Sequence, residues 1–141
     1  MKLRSGPLFI VLSVVAALLA VIAGLIVVGS PDEARMRRFD EKRVSDLASI
    51  SRAIATYRLT HETLPASLEA LRSAQPSSTF YLKDPLGRSY EYTAKDAFNY
   101  ELCAAFYGSM ESKPNNWASI FATHGAGRQC FDAEARPRAQ R

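Results

Sequence analysis

The most pronounced pattern in the sequence is an uncharged run from Leu8 to Val28, which contains only apolar residues apart from Ser13 and Gly24. As an α-helix, a run of this length extends about 31 Å, the thickness of the hydrocarbon core of a bilayer. The apolar core of a cleavable secretory signal is shorter, at ~7–15 residues. We therefore predict a transmembrane helix over residues 8–28 that follows a cytoplasmic tail of residues 1–7, with a cleavable signal as the alternative.

An amphipathic pattern begins directly after this run. Ser30 and Glu33 have the spacing of a capping box, and Pro31 suits the first position of a helix. Apolar side chains then recur every three or four residues, which predicts a helix as far as about Thr60. These apolar positions are Met36, Phe39, Val44, Leu47, Ile50, Ile54 and Tyr57. The polar positions predict a solvated face, made of Arg37, Arg38, Glu41, Lys42, Asp46 and Arg52.

The second half of the chain shows the two-residue alternation of β-strands. A short helix with Pro65 in its first turn is predicted to come first. A turn at residues 84–87 follows, because Pro presets φ and Gly accepts a positive φ. Apolar and polar side chains alternate in residues 90–93 and 98–102, which predicts a β-hairpin. Later segments are expected to return to the core and the hairpin: Trp117, Ile120, Phe121 and residues 124–131.

Together these elements predict an α+β fold, with the amphipathic helix packed on a small antiparallel sheet. An isolated hairpin is only marginally stable in water, so its aromatic face has to pack on the helix. The tyrosines are therefore expected in the core rather than on a carbohydrate-stacking surface; they are Tyr81, Tyr90, Tyr92, Tyr100 and Tyr107. We predict the folded domain over residues 30–131 and a flexible charged tail over residues 132–141.

Charge and length exclude several classes of function. The net charge is +4, but Lys2 and Arg4 precede the apolar run, so the rest of the chain carries only +2. This is too little for a nucleic-acid interface. About 110 residues follow the run, too few for a large α/β enzyme. A cationic N-terminal tail and a domain of this size predict an N-terminus in the cytoplasm and a domain in the periplasm, across a bacterial inner membrane.

The sequence contains two cysteines, Cys103 and Cys130. Their spacing fits neither a C-x-x-C metal or redox motif nor a haem attachment motif. In an exported domain an isolated pair most simply forms one disulfide, worth roughly 3.5 kcal/mol in the loop-entropy model. Two unrelated buried thiols are one alternative, and a zinc site that also uses His124 is another.

No arrangement of residues in the sequence indicates catalysis. Ser51, Ser67 and Ser119 lie in no nucleophile motif, and residues 125–128 lack the rest of a phosphate-binding pattern. The acidic residues are predicted to lie on solvated faces. We therefore predict a protein that is not an enzyme and that has no cofactor, no metal ion and no small-molecule substrate.

Four segments follow one another in an informative order. They are the apolar helix, Arg43-Val44-x-Asp46-Leu47-x-x-Ile50-x-x-Ala53-Ile54-x-x-Tyr57, Leu64-Pro65-x-Ser67-Leu68, and Asp84-Pro85-Leu86-Gly87-x-x-Tyr90-x-Tyr92 before a second strand. In this order and spacing the chain resembles type IV pilins, and in particular the pseudopilins of type II secretion, over roughly residues 8–106. The resemblance implies a pilin-like fold and membership of a membrane-anchored assembly.

The N-terminus departs from the pattern of that family. A prepilin has a basic leader ending in Gly, a peptidase cut after it, and a Glu at the fifth mature position that docks on a neighbouring subunit. In this chain Pro7 follows Gly6, and Val11 occupies the position of the Glu. We therefore expect a pilin-like protein that keeps residues 1–6 and has lost the filament role.

Small residues line one face of the apolar run and predict a partner in the membrane. Their small-x-x-x-small spacing lets two helices approach closely in lipid. They are Ser13, Ala16, Ala17, Ala20 and Gly24. We expect an accessory subunit of a larger inner-membrane assembly that contacts an integral membrane protein and the lipid bilayer. A minor pseudopilin of a type II secretion or type IV pilus machine is the alternative, and a periplasmic enzyme or metal-binding domain is a second one.

Overall fold

A computed structural model describes residues 5–28, 31–111 and 119–135 of the chain. The chain divides into two compact units, Met1–Arg35 and Met36–Arg141. The first unit contains helix α1, Ser5–Val28, which confirms the predicted apolar helix. No residue of its segment Pro7–Gly24 is buried, and the segment is long and apolar enough to cross a membrane. A signal sequence would meet the same criteria of length and composition.

Helix α2 extends over Pro31–His61 and begins at the predicted proline. The predicted N-cap, Ser30, lies outside the described residues. The centre of the apolar stripe is fully buried, at Leu47, Ile50 and Ile54. Val44 and Tyr57 pack against the same core from its margin. This burial confirms the periodicity over the part of α2 that belongs to the second unit.

Helix α3, Leu68–Ala74, starts later than predicted. Ser67 is its N-cap, and the Ser67 side chain accepts a hydrogen bond of 3.1 Å from the backbone N–H of Ala70. Pro65 lies before the helix, where its carbonyl accepts a hydrogen bond of 3.0 Å from the Tyr92 hydroxyl. The expectation that Pro65 forms the first turn was therefore wrong, because the better capping side chain lies two residues later.

In the part of the chain that the structure describes, three antiparallel strands form one sheet in the order β1-β2-β3. They are β1, Glu91–Ala94, β2, Asn99–Phe106, and β3, Gly127–Glu134, with the short helix α4, Ser119–Ala122, before β3. The hairpin prediction is confirmed, and Tyr92 lies opposite Leu102. The chain therefore has the predicted α+β class, with a third strand that completes the small sheet.

One face of the sheet forms the core together with α2. Tyr100 and Leu102 are buried on this face with the α2 stripe, and the Tyr100 hydroxyl lies 2.7 Å from Ser51 Oγ on α2. The expectation that the tyrosines lie in the core holds for Tyr90 and Tyr100, but Tyr81 and Tyr107 are more than half exposed. Tyr81 and Tyr107 lie in loops, where no strand directs their side chains into the core.

The C-terminal boundary of the folded part also differs from the prediction. Strand β3 continues to Glu134, and Ala135 is buried and donates from its N–H to the carbonyl of Phe98 at 2.8 Å. Residues 132–135 therefore belong to the fold and not to a tail. Phe121 is buried as predicted, whereas Ile120 is 44% exposed, because α4 is a single turn with only one face toward the core. Trp117 lies outside the described residues.

Candidate functional site

The two cysteines lie directly opposite each other on neighbouring strands. Cys103 of β2 and Cys130 of β3 are register partners with Cα atoms 4.1 Å apart. Their sulfur atoms are 2.14 Å apart, which is disulfide distance. The pair lies on the face of the sheet that points away from α2, because Leu102 and Phe131, the neighbours in the register, point into the core.

Ion pairs surround this disulfide on the outer face of the sheet. The Arg128 guanidinium lies 2.7 Å from the Glu91 carboxylate, and it lowers the pKa of Glu91. Lys95 contacts both Glu101 and Asp132. Apart from the partly buried Glu101, these side chains are exposed, so they form a solvated charged face and contribute little to stability.

The zinc alternative is not supported by the position of His124. The His124 ring stacks on Phe106 with centroids 3.7 Å apart, on the core side of the sheet. Potential metal ligands do come together at Glu101, Cys103 and Cys130, whose ligand atoms lie within 4.8 Å of one another. Both sulfurs, however, are joined to each other in this structure, and a metal ion needs them as thiolates.

The second unit contains a cluster of buried charges that was not predicted from the sequence. Arg43 has no exposed surface, and Asp40, Asp46 and Asp84 are each less than a tenth exposed. The prediction that the acidic residues lie on solvated faces was wrong for these three aspartates. Asp46, in particular, was predicted to lie on the polar face of α2. Ionised side chains are buried only where partners compensate the loss of water, so this cluster requires close pairing.

Arg43 is the centre of the cluster. Its Nη1 donates to Asp40 Oδ1 at 2.6 Å, one turn earlier on α2. Its Nε donates to Asp84 Oδ2 at 2.8 Å, and its Nη2 lies 2.7 Å from the same oxygen. One guanidinium therefore joins α2 to the turn at residues 84–87, which lies 41 residues further along the chain.

The two carboxylates each organise a second piece of backbone. Asp84 Oδ1 accepts hydrogen bonds of 2.9 Å from the N–H groups of Leu86 and Arg88, and Gly87, at φ +83°, closes the predicted turn by donating to the Asp84 carbonyl. Asp40 accepts hydrogen bonds from the N–H groups of Tyr107 and Gly108, just after β2. The cluster therefore attaches a turn and the end of a strand to one point on α2.

Asp46 attaches the start of the sheet in the same way. It accepts a hydrogen bond of 2.9 Å from the Tyr90 hydroxyl, immediately before β1, and pairs with Lys42. Burial raises the pKa of Tyr90 well above its usual range, and the neighbouring Asp46 carboxylate raises it further. Tyr90 is therefore a permanent hydrogen-bond donor at physiological pH.

The carboxylates of this cluster are held by several partners within the second unit. The carboxylate oxygens accept hydrogen bonds from backbone N–H groups and from the side chains of Lys42, Arg43, Arg88 and Tyr90. A shallow pocket of about 230 Å³ lies elsewhere, and none of the cluster residues lines it. It is formed by Ser49, Arg52, Ala53, Thr56, Ser78, Thr79 and Phe80.

Asp84 makes the stability of the domain sensitive to acid. Burial by itself would raise the pKa of Asp84, but hydrogen bonds from the N–H of Arg88 and from Arg43 hold it below the ordinary value of 3.8. A folded-state pKa below the unfolded value means stability that is present above the unfolded pKa and is lost as pH falls through the folded pKa. We expect unfolding in urea, measured from about pH 7 down to about pH 2, to show this loss, and Asp84→Asn to reduce its pH dependence.

Asp132→Asn is the control for this measurement, because Asp132 is an exposed carboxylate on the outer face of the sheet. Its replacement should leave most of the acid-dependent loss in place. An equal effect of both substitutions would contradict the assignment to Asp84.

The small residues of α1 lie on an exposed helix surface. Ser13, Ala16, Ala17, Ala20 and Gly24 are all exposed, and Ser13 Oγ donates to the carbonyl of Ile10 at 2.9 Å. A Cβ atom added at Gly24 would meet no atom within 4 Å. The face that was predicted to pack on a partner helix is therefore accessible.

Comparison of the chain with known protein families, with characterised proteins and with solved structures finds no match.

Proposed function

We propose that this protein is a non-enzymatic, single-pass subunit of a larger bacterial inner-membrane assembly, with a pilin-like domain in the periplasm. The observation that carries the proposal is α1, whose segment Pro7–Gly24 is uncharged and apolar and has no buried residue. A monomeric soluble protein rarely exposes a continuous apolar surface of this size. A lipid bilayer and a neighbouring membrane helix are the surroundings that would cover it.

The architecture of the second unit supports a structural role. Its buried ionisable groups hold loops and strand ends to α2, as Arg43 does with Asp40 and Asp84. Such a cluster fixes the positions of loops and strand ends relative to α2, as a domain that presents surfaces to partners requires. The cysteine pair supports a periplasmic location, because a disulfide persists in an oxidising compartment.

The partner is an integral membrane protein that packs on the small-residue face of α1. Ala20→Ile with Gly24→Ile places two bulky side chains on this face and is expected to reduce co-purification of the partner in mild detergent. Leu19→Ile with Ile22→Leu, on the opposite face, is the matched control. Unchanged co-purification would contradict recognition by α1.

The topology of the chain is tested by a reporter that is active only in the cytoplasm and is fused after Arg141. The reporter should remain silent, and an active reporter would contradict the topology.

A minor pseudopilin is the second candidate. It is favoured by the architecture in which a long helix, α2, packs on an antiparallel sheet through Leu47, Ile50 and Ile54. The two candidates differ at the N-terminus, because a pseudopilin is cut after its leader. An N-terminal mass that begins at Pro7 would favour the pseudopilin, whereas a chain that retains residues 2–6 would favour the accessory subunit.

A further inference from the structure

Strand β3 forms one edge of the sheet, and we propose that this edge pairs with β3 of a second copy of the chain. Two three-stranded sheets would then join into one sheet of six strands. The pairing goes beyond the proposed function, since it uses the second unit alone and does not depend on the membrane partner.

The free edge of β3 is identified by the spacing of the cysteine pair. A Cα distance of 4.1 Å between Cys103 and Cys130 is typical of a non-hydrogen-bonded antiparallel pair. Since the two kinds of pair alternate, Gln129 and Phe131 bond to β2, and the N–H and C=O groups of Cys130 and Asp132 point away from it. Within residues 5–28, 31–111 and 119–135, the sheet has no strand beyond β3.

β3 carries charged side chains at Arg128, Asp132 and Glu134, but it lacks a proline and a bulge, two other features that prevent edge strands from pairing. β3 is eight residues long and contains no proline. Its register with β2 is unbroken from Gly127 to Glu134, so no bulge twists the edge away. A long, regular edge strand of this kind is a template for another strand.

The side chains of β3 are complementary to themselves in one antiparallel register. When Phe131 lies opposite Phe131 of the second copy, Arg128 lies opposite Glu134 on the outer face, and the two-fold symmetry creates this ion pair twice. On the inner face, Phe131 is only partly buried against Phe106 and Phe121, at the margin of the core. The second Phe131 would cover the part that remains exposed.

The same register predicts the hydrogen bonds that close the interface. The Asp132 N–H of each copy donates to the Cys130 carbonyl of the other copy, and the Cys130 N–H donates to the Asp132 carbonyl. Asp132→Pro removes one donor that β2 does not use, and proline is tolerated at the free side of an edge strand. Asp132→Asn removes the same charge but keeps the N–H.

The test is sedimentation equilibrium of the full-length chain in mild detergent. We expect a monomer–dimer equilibrium for the wild type and for Asp132→Asn, and a dissociation constant at least about tenfold higher for Asp132→Pro. Protection of the Cys130 and Asp132 amides from hydrogen exchange should rise with protein concentration. A chain that stays monomeric, or a dimer that Asp132→Pro leaves unchanged, would overturn the proposal.

Charge reversal provides a second test should Asp132→Pro fail to fold. Arg128→Glu and Glu134→Arg should each weaken the dimer, because each places like charges opposite each other twice. The double variant should restore dimerisation, since it rebuilds both ion pairs with the signs exchanged. Thermal unfolding of each variant separates this effect from the loss of the Arg128–Glu91 pair. If the double variant is no stronger than the single ones, the proposed register is wrong.

Discussion

Replacing Arg43 by methionine is expected to lower the free energy of unfolding by about 3–5 kcal/mol. Methionine retains much of the length of the side chain, so the packing volume changes little. The substitution leaves the Asp40 and Asp84 carboxylates buried without their shared cation. Because an unpaired buried charge cannot recover its hydration, breaking such a pair costs far more than losing an exposed one.

The measurement is denaturant unfolding of the full-length chain in mild detergent, with Arg88→Gln as the matched control. Arg88 contacts the same carboxylate, Asp84 Oδ2, at 3.2 Å, but its side chain is 50% exposed. Its loss should therefore cost no more than about 1 kcal/mol. If Arg43→Met were as mild as Arg88→Gln, the buried cluster would not be what attaches the loops to α2.

Removing the disulfide by replacing Cys103 and Cys130 with alanine is expected to cost about 3.5 kcal/mol of unfolding free energy. The crosslink joins residues 27 positions apart, and it restricts the unfolded chain more than the folded one. The cysteines also pair β2 with β3 in register, so the loss should loosen β3 first. The unfolding midpoint of the full-length chain measures the effect.

Reduction of the wild-type protein supplies the control for this prediction. A thiol reductant should lower the wild-type midpoint toward that of the alanine variant and should leave the variant unchanged. Alkylation followed by mass measurement should find no free thiol in the oxidised chain. Two alkylated cysteines in that sample, or a midpoint insensitive to the reductant, would show that the pair does not form the crosslink in the protein.

The local patterns of the sequence were sufficient for α1, α2 and the hairpin, whereas they placed the start of α3 too early. A long uncharged run predicted α1, and a stripe with a period of three to four residues predicted α2, because burial of one helix face needs only that spacing. Alternation predicted β1 and the first half of β2 with the correct face inward. The turn at residues 84–87 was also predictable, since Gly87 adopts the positive φ that the turn requires.

Partners that are distant in the sequence decided the rest. Asp40 and Arg43 resemble surface residues of an amphipathic helix. They are buried because segments that are distant in the sequence contact them. Arg43 pairs with Asp84, 41 residues later, and Asp40 accepts a hydrogen bond from the N–H of Tyr107, 67 residues later. The available signal was an Asp at the start of a turn and an Asp–Arg pair one helical turn apart. No local pattern, however, indicates that the turn and the helix contact each other. The extent of β3 to Glu134 was likewise set by β2, which supplies the partner for each residue and keeps a charged strand ordered. Periodicity reports which face of an element is apolar, whereas the burial of a charge depends on which other element covers it.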